Sequence, residues 1–302
     1  MYPLVTLHNR SCSTASCPRC GDDRITRHGH FFRRDDSRRI PRFRCKGCSR
    51  TFSRAGYSLF YRHRHRRLNE RIRLSLVNSG TLRGTARMLR IDKETVARHM
   101  ILQAKIARHR HSKRRMIWQH ATCVQFDDLH TIEHTKLKPV AVSLITDADR
   151  WNMIGIQVSR IPASGPHAWK SRERYGLRPD DSIAARERMM MDAIPYISPT
   201  ALFVTDKHLD YPPLITKHFP NARHSTHHGA RGSVTGHGEL KNIGYDPLFC
   251  VNHQFATFRA CLSRLVRRTW TTTKRLDRLE DHLMLLVDHY NHCRKPMKRT
   301  HA

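Results

Sequence analysis

The chain has 302 residues, with 56 Lys and Arg against 25 Asp and Glu, which gives a formal charge of +31 at pH 7. No apolar run reaches the roughly 18 residues of a transmembrane helix, which excludes a membrane-spanning protein, and the first residues lack the parts of a signal peptide. The positive charge favours a nucleic-acid partner in the cytoplasm over a basic ribosome-associated or membrane-surface protein. The length predicts two or three domains.

Four of the nine cysteines form two Cys-x-x-Cys pairs, Cys17 with Cys20 and Cys45 with Cys48. Each pair can supply two thiolates to a tetrahedral Zn²⁺ ion, and the two pairs together close the site. Matched pairs and an odd total favour metal binding in a reducing compartment over a disulfide framework. We therefore predict a structural zinc, with a redox-active pair as the alternative.

The segment between the two cysteine pairs predicts a hairpin. Apolar and aromatic residues from Ile25 to Phe43 surround the polar turn Asp35-Asp36-Ser37, a pattern typical of two strands and a turn. So small a domain has little core, and its metal would supply much of its folding free energy. We predict a zinc ribbon over residues 1–66, whose many arginines either contact phosphates or form a solvated basic face.

Three helices are predicted from residue 69 onward. Ser79-Gly80 ends the first helix, Thr81 caps the second, and Asp92 caps the third after a short turn. This spacing is typical of a helix-turn-helix, whose last helix enters the major groove of DNA. We assign it to residues 67–117, including a basic linker, with an ordinary helical connector as the alternative. The DNA-contacting residues that this interpretation predicts are Lys93, Thr95, Arg98 and His99.

The remaining chain, residues 118–302, predicts alternating strands and helices. We expect strands at 121–127, 139–146, 151–158 and 201–205, helices at 182–196, 211–218 and from about 252, and loops at 162–182 and 225–245. This order is that of the ribonuclease-H-like fold, a mixed sheet in which the first and fourth strands are neighbours. The predicted fold class is therefore multi-domain α/β, with C-terminal helices after the sheet.

An acid follows each of two short apolar runs, Asp127 after Val124 to Phe126 and Asp206 after Ala201 to Thr205. We expect each acid at the tip of a buried strand, where the strand fixes the position and the loop leaves the group accessible. On adjacent strands, both can bind Mg²⁺ or Mn²⁺, and two such ions can act on both oxygens of a phosphoryl transfer. The alternatives are exposed loop acids, or Asp128 in place of Asp127 if the strand register shifts by one.

A Cys₄ ribbon, a helix-turn-helix and acids on the first and fourth strands together resemble the bacterial insertion-sequence transposases of the DDE class. The runs Phe126-Asp127-Asp128, Val204-Thr205-Asp206 and Arg264-Leu-Val-Arg-Arg-Thr269 are most similar to the first-described insertion-sequence family. The resemblance implies a nucleoid-associated enzyme that binds double-stranded element ends and target DNA. It would use a divalent metal to free a 3′-hydroxyl and join it to the target. We also expect a homo-oligomer, because two DNA ends must be paired.

In such transposases a Glu on the helix after the last strand completes the site. Alignment of the run Arg264 to Thr269 places this position at Asn252, whose amide can still offer one neutral oxygen to a metal. The resemblance therefore implies Asp127, Asp206 and Asn252 as the catalytic residues. The alternatives for the third position are His253, Glu239 and Asp246.

The C-terminal segment carries a basic face and an apolar stripe. We expect Arg264, Arg267 and Arg268 to face outward and contact phosphates. The stripe from Leu276 to Tyr290 alternates steps of three and four residues, which indicates core packing or, alternatively, a dimer seam.

Two other functional classes fit the same residues. One is a DNA-binding regulator or domesticated transposase with an inactive core, and the other is a plain Mg²⁺ nuclease. All three classes predict DNA binding that weakens steeply with salt. The first alternative lacks metal-dependent cleavage, whereas the second cuts DNA without joining the ends.

Overall fold

The computed structural model describes residues 16–57, 61, 63, 65–228, 246–266 and 270–293. Chain contacts divide the protein into two compact units, Met1–Glu70 and Arg71–Ala302. The helices from residue 71 onward thus belong to the same unit as the large sheet. No described helix is both long enough and apolar enough to cross a bilayer.

The first unit is built on a small antiparallel sheet. Its strands are β1 (Ile25–Arg33), β2 (Arg38–Cys45) and β3 (Thr51–Phe52), in the order β1-β2-β3. The predicted hairpin is therefore confirmed. Its apolar contacts are few: the Phe43 and Phe52 rings lie 5.9 Å apart, while other aromatic side chains of β1 are exposed. So small a core leaves the fold dependent on a further source of stability.

The second unit begins with three helices whose ends follow the capping signals in the sequence. They are α1 (Asn69–Val77), α2 (Leu82–Leu89) and α3 (Lys93–Arg115). Thr81 Oγ1 accepts a hydrogen bond of 2.9 Å from Gly84 N, and Asp92 Oδ1 accepts one of 2.7 Å from Glu94 N. Both side chains satisfy amides that the first helical turn leaves without partners, so both predicted caps are confirmed.

A five-stranded mixed sheet follows. Its strands are β4 (Ala121–Ile132), β5 (Pro139–Asp147), β6 (Met153–Arg160), β7 (Ile197–Asp206) and β8 (Arg223–His227). The order across the sheet is β6-β5-β4-β7-β8. The β4–β5 and β5–β6 pairs are antiparallel, whereas the β4–β7 and β7–β8 pairs are parallel. The predicted adjacency of the first and fourth long strands is thus confirmed.

Five helices accompany the sheet: α4 (Ala168–Tyr175), α5 (Ser182–Ala193), α6 (Tyr211–His218), α7 (Phe249–Cys261) and α8 (Leu276–Cys293). Successive side chains of a strand point to opposite faces, so each strand serves two layers. Phe126 packs with Met189 of α5 and Tyr211 of α6 on one face. Gln125 and Thr146 contact α7 on the other face.

Helix α3 runs along α8 and joins the first helices to the sheet. Arg108 pairs with Asp281 at 2.8 Å, and Arg110 and Arg114 both pair with Asp288, at 2.7 and 3.1 Å. Both acids are nearly fully buried, whereas their arginine partners are partly exposed, so solvent screens these pairs only in part. The apolar stripe of α8 is buried within the same chain, at Leu279, Leu283 and Leu286 among others, which corresponds to the core-packing alternative.

Several predicted boundaries are wrong. The first sheet strand continues to Ile132, because pairing with β5 extends over its whole second half. The predicted loop 162–182 contains α4, and the predicted loop from residue 225 begins with the last residues of β8. Residues 229–245 lie outside the described part of the chain.

Candidate functional site

The four predicted cysteine ligands come together in the first unit. Their sulfur atoms all lie within 4.8 Å of one another. The Cys17 and Cys48 sulfurs are 3.7 Å apart, and those of Cys20 and Cys45 are 3.5 Å apart. Tetrahedral Zn–S bonds of about 2.3 Å require sulfur separations of about 3.8 Å, so the arrangement fits the ion. The four cysteines are therefore positioned to bind a metal ion.

The turn around Cys17 favours the thiolate form that a metal needs, whereas the pKa of Cys20 is raised to about 12 and burial raises the pKa of Cys48. Backbone amides of Cys20 and Arg19 point at the Cys17 sulfur and lower the pKa of that thiol to about 6. Cys48 N donates to Cys45 Sγ over 3.5 Å, as expected of a metal-binding knuckle. Within the described residues, these cysteines form the only group of three or more His, Cys, Asp or Glu side chains close enough to share one ion.

The second candidate site is the acid pair of the large sheet. Phe126 of β4 lies opposite Thr205 of β7 in a parallel register, so the next residues, Asp127 and Asp206, are lateral neighbours. Asp206 is the last residue of β7, whereas Asp127 lies inside β4 and not at its tip. Strand β7 nevertheless ends beside Asp127. Asp127 therefore lies at the point where β4 continues without β7 alongside it.

Electrostatic interactions connect these acids. Burial is the main cause that raises the pKa of Asp127, and the negative charges of Asp206, Asp128 and Asp246 add to it. Against one backbone hydrogen bond that favours the ionised form, the resulting pKa is about 7. That bond runs from Asp128 N to Asp127 Oδ1 over 2.7 Å. In the part of the chain that the structure describes, no basic side chain forms an ion pair with Asp127 or Asp206. This pair is therefore a negative site without an internal counter-charge, which suits a cation.

Asp128 lies on the opposite face of the sheet and has a different role. Its Oδ2 accepts hydrogen bonds from Arg186 Nη2 and Nε, over 2.7 and 3.0 Å, and both side chains are buried. Arg186 Nη1 also reaches Asp210 Oδ2 at 2.7 Å, just beyond β7. The alternative that Asp128 replaces Asp127 is therefore not favoured, because a buried arginine already neutralises Asp128.

Sequence analysis missed Arg186 as a residue of this region. The signal that could have identified it is its position on the apolar side of α5, since Arg186, Met189 and Met190 share one helical face and are all buried. A charged residue on such a face is almost never fully buried without a partner.

Two neighbouring polar residues, Asn252 and Asp246, are candidates for the third catalytic residue. Asn252 is exposed on the first turns of α7, and its Nδ2 donates to Asp246 Oδ2 over 2.9 Å. Asp246 Oδ1 accepts from Leu248 N and so fixes the turn that opens α7. Asp246 is also among the charges that raise the pKa of Asp127. Of the alternatives predicted from the sequence, Asp246 thus lies close enough to interact electrostatically with Asp127. Glu239 lies outside the described residues.

One side chain of β4 holds the start of α7 against the sheet. Gln125 Nε2 donates to Pro247 O over 2.7 Å, and Gln125 Oε1 accepts from Val251 N over 2.9 Å. Gln125 is two residues before Asp127 and therefore lies on the same face of the strand. This double contact explains how Asp246, far along the chain, comes near the acid pair.

His253 lies elsewhere on α7. Its ring packs edge-on against the Trp151 ring at 5.1 Å and near the Phe249 ring at 6.1 Å. These aromatic contacts give the imidazole a packing role at the β5–β6 turn. His253 is therefore a weaker alternative than Asp246 for the third position.

The predicted DNA-contacting residues divide by exposure. Lys93 and Arg98 are exposed and Thr95 is half-buried at the start of α3. His99 is only 2% exposed, so the expectation that it faces a DNA groove is wrong. Position 99 belongs to the side of α3 that packs inward with Val96 and Met100.

Of the three C-terminal arginines that are predicted to contact phosphates, the structure describes Arg264. Arg264 is half-buried, and burial lowers its pKa to about 10, so the expectation that it faces outward is wrong. A cation that loses hydration in this way is a poor surface contact for phosphate. Arg267 and Arg268 lie outside the described residues.

A cavity of about 760 Å³ opens between α5 and α8 and is lined mostly by charged side chains. Arg178 pairs with Glu133 at 3.0 Å and Arg160 pairs with Asp181 at 2.6 Å within its walls. Neither Asp127 nor Asp206 lines this cavity. The acid pair is therefore a separate site.

Neither a scan against protein-family models nor a search of curated protein sequences finds a match to this chain.

Proposed function

We propose that this protein is a DDE-type transposase that binds DNA ends and catalyses metal-dependent strand cleavage and strand transfer. The observation that carries the proposal is the lateral pairing of Asp127 and Asp206 on parallel strands, together with the raised pKa of Asp127. Carboxylates with perturbed pKa values are frequent at functional sites, and carboxylate oxygens are ligands that Mg²⁺ prefers. The proposal includes a ribonuclease-H-like core, which the strand order β6-β5-β4-β7-β8 supports.

Asp127 and Asp206 are the residues that would hold Mg²⁺ or Mn²⁺. Divalent ions bound there would activate the attacking hydroxyl or water and stabilise negative charge on the leaving oxygen. Asp246 supplies the third carboxylate in this proposal, in preference to Asn252. The amide of Asn252 then orients Asp246 through its hydrogen bond, and Gln125 fixes the turn that carries Asp246.

DNA binding would start at the exposed turn between α2 and α3. Lys93 and Arg98 offer positive charge there, and Thr95 offers a hydroxyl, at the amino-terminal end of a long helix. Amino-terminal helix residues are those that contact base edges in a helix-turn-helix. The formal charge of +31 favours association with the DNA backbone independently of its sequence.

Cleavage and joining of supercoiled plasmid in Mn²⁺ would test the proposal. We expect the parent chain to nick the plasmid and join ends. Asp206→Asn should lose at least about 100-fold in rate, because a direct ligand is missing and even groups that only orient ligands cost about 10–100-fold. Asp149→Asn is the matched control, since Asp149 is an exposed acid on the β5–β6 turn. Equal nicking in EDTA, or retained activity of Asp206→Asn, would contradict it.

A separate comparison of variants tests which residue is the third metal ligand. We expect Asp246→Asn to abolish cleavage nearly as fully as Asp206→Asn, and Asn252→Ala to reduce it less, because Asn252 acts through Asp246 in this proposal. The reverse order would assign the third ligand to Asn252.

One observation favours the inactive alternative. The acids do not form a compact ligand group in the described residues, whereas the cysteines do. A protein that binds plasmid but never nicks it in Mn²⁺ would support a DNA-binding regulator. Nicking without joined products would support a plain nuclease.

A further inference from the structure

Helix α4 is inserted between β6 and α5 and contacts the turn between β4 and β5 through two side chains, Ser171 and Tyr175, whose ring centre lies 4.2 Å from Lys138 Nζ. Ser171 is its only buried residue, and its hydroxyl donates to Leu137 O over 2.7 Å. Leu137 lies in the turn between β4 and β5. The remaining side chains of α4 contribute little to the core, so packing does not explain their identity.

The exposed surface of α4 combines three cations and one acid, Glu173, with a large aromatic ring, so its net charge is +2. Lys170, Arg172 and Arg174 are exposed, and among the described residues none of them has an ion pair. The Trp169 side chain is 64% exposed. Successive helical residues are rotated by about 100°, so Trp169 lies about 160° from the buried Ser171, with Lys170 and Arg172 on either side of it. The indole therefore stands at the solvent side of the helix between two positive charges.

The position of α4 relates it to the acid pair. Strand β4 continues five residues beyond Asp127, to Ile132, while β7 ends beside Asp127 at Asp206. At about 3.3 Å per residue, this extension measures about 17 Å. The β4–β5 turn at its end holds Ser171. A DNA strand at Asp127 would reach the end of this extension within about five base steps of 3.4 Å.

We propose that α4 binds single-stranded DNA that continues from the strand at the acid pair. This inference rests on the proposed function and specifies where a separated strand lies during cleavage and transfer. Lys170, Arg172 and Arg174 contact successive phosphates, and Trp169 stacks on an unpaired base. Bases in an intact duplex are already stacked on both faces, so an exposed indole favours a single strand. A protein partner is less well matched, because the centres of protein interfaces are depleted of charged residues.

Fluorescence anisotropy with a labelled single-stranded oligonucleotide, and with the duplex of the same sequence, tests this surface in the zinc-loaded full chain. We expect Trp169→Ala to weaken single-strand binding by about 5- to 150-fold, the range measured for one stacked base. Duplex binding should change less, and Trp169→Phe should restore most of the affinity because it keeps an aromatic face.

The contribution of the three α4 cations can be measured separately, through the salt dependence of binding. The triple variant Lys170→Gln/Arg172→Gln/Arg174→Gln should reduce the slope of log K against log salt by about 2 for a single strand. The matched control is Lys105→Gln/Lys113→Gln/Arg223→Gln, which removes the same charge from exposed residues of α3 and β8. An equal loss in the control would overturn the proposal, because a general field effect would then explain it.

Two further outcomes separate this proposal from the function. A parent chain that cleaves in Mn²⁺ but shows no effect of Trp169→Ala on single-strand binding overturns the α4 surface alone. A Trp169→Ala effect in a parent that never cleaves keeps the surface and overturns the enzymatic function. A change in oligomeric state without any change in DNA binding would assign α4 to a protein interface and overturn the proposal.

Discussion

The cysteine cluster and the acid pair both gather negatively charged ligands, but the chain builds them differently. Each cysteine pair has its spacing set by one tight turn, and a single hairpin brings the two pairs together. The acid pair depends on a parallel register between β4 and β7, with several elements between them in the chain. Local geometry therefore makes a compact site directly, whereas the second site depends on the packing of the whole sheet.

This difference has an energetic counterpart. The first unit has few apolar contacts, so a metal would stabilise the fold itself. The acid pair lies in a unit with a large buried core, and there the ligands cost stability, because burial and like charges oppose ionisation of Asp127. The metal bound by the cysteine cluster is expected to stabilise the first unit. The acid pair, in contrast, is expected to depend on the stability of the second unit.

The largest effect that would test this contrast is loss of Cys45, one of the four cysteines positioned to bind a metal ion. We expect Cys45→Ser to abolish zinc binding and unfold the first unit, since structural zinc sites contribute about 10–16 kcal/mol of apparent binding free energy. Zinc content per chain and backbone amide spectra of residues 16–57 would measure this. Cys293→Ser, which removes an exposed thiol, is the control. A folded, zinc-free ribbon would remove the contrast.

The next effect concerns the ion pair behind the acid site. Arg186→Met leaves the buried Asp128 carboxylate without its partner, which we expect to cost about 3–5 kcal/mol in urea unfolding. The double variant Arg186→Met/Asp128→Leu should recover most of that loss. Arg188→Met removes an exposed arginine from the same helix and should change stability little. Equal costs for Arg186→Met and Arg188→Met would show that the pair does not support this region.

A smaller effect should appear in the pH dependence of stability without metal. The pKa of Asp127 is raised from 3.8 to about 7 in the folded chain, so folding favours the protonated form. Its contribution to stability is present below pH 3.8 and is lost as pH rises through about 7. Asp127→Asn should therefore be more stable than the parent at pH 8, by at most about 4 kcal/mol, since each pKa unit corresponds to about 1.4 kcal/mol.

Chemical denaturation of both variants from pH 4 to pH 8 in EDTA measures this difference. Added Mn²⁺ should reverse its sign at pH 8, because only the parent has the ionised carboxylate that a cation binds. A stability difference between the two chains that stays constant with pH would contradict the raised pKa.

The smallest expected effect on stability concerns the helix cap Asp92, which the sequence alone predicts. Asp92→Ala removes the cap of α3 and should lower the free energy of unfolding by about 1 kcal/mol. Asp92→Asn keeps an accepting oxygen and should have little effect. A cost much above that of other caps would show that Asp92 also contributes to contacts beyond the helix end.

The success of the sequence-based predictions follows the same division between local and long-range structure. The cysteine spacing, the hairpin and the caps at Thr81 and Asp92 each depend on residues close in the chain, and all four appear in the structure. The burial of His99 could not be predicted, because it depends on which side of α3 the rest of the unit covers.

Two other features depended on distant contacts. Helix α4 has a polar and charged sequence without apolar periodicity, and its hydrogen bond from Ser171 to Leu137 cannot be seen in the sequence pattern. Asp246 comes near the acid pair because Gln125 holds the start of α7. The sequence offered Asp246 only as one alternative among three, since nothing local connects it with β4.

Helix α3 has a consequence for how this protein can diversify. It begins at the exposed cap Asp92 and ends where His111 and Arg115 both donate to Ile154 O of β6. At 1.5 Å per residue, its 23 residues span about 35 Å. Cutting the chain after residue 117 would separate α3 from α8, and Asp288 would lose Arg110 and Arg114 while Asp281 would lose Arg108 and keep Arg278. These helices are therefore not an exchangeable module. Under the proposed function, a new DNA preference would have to arise by substitution within the exposed first turn of α3.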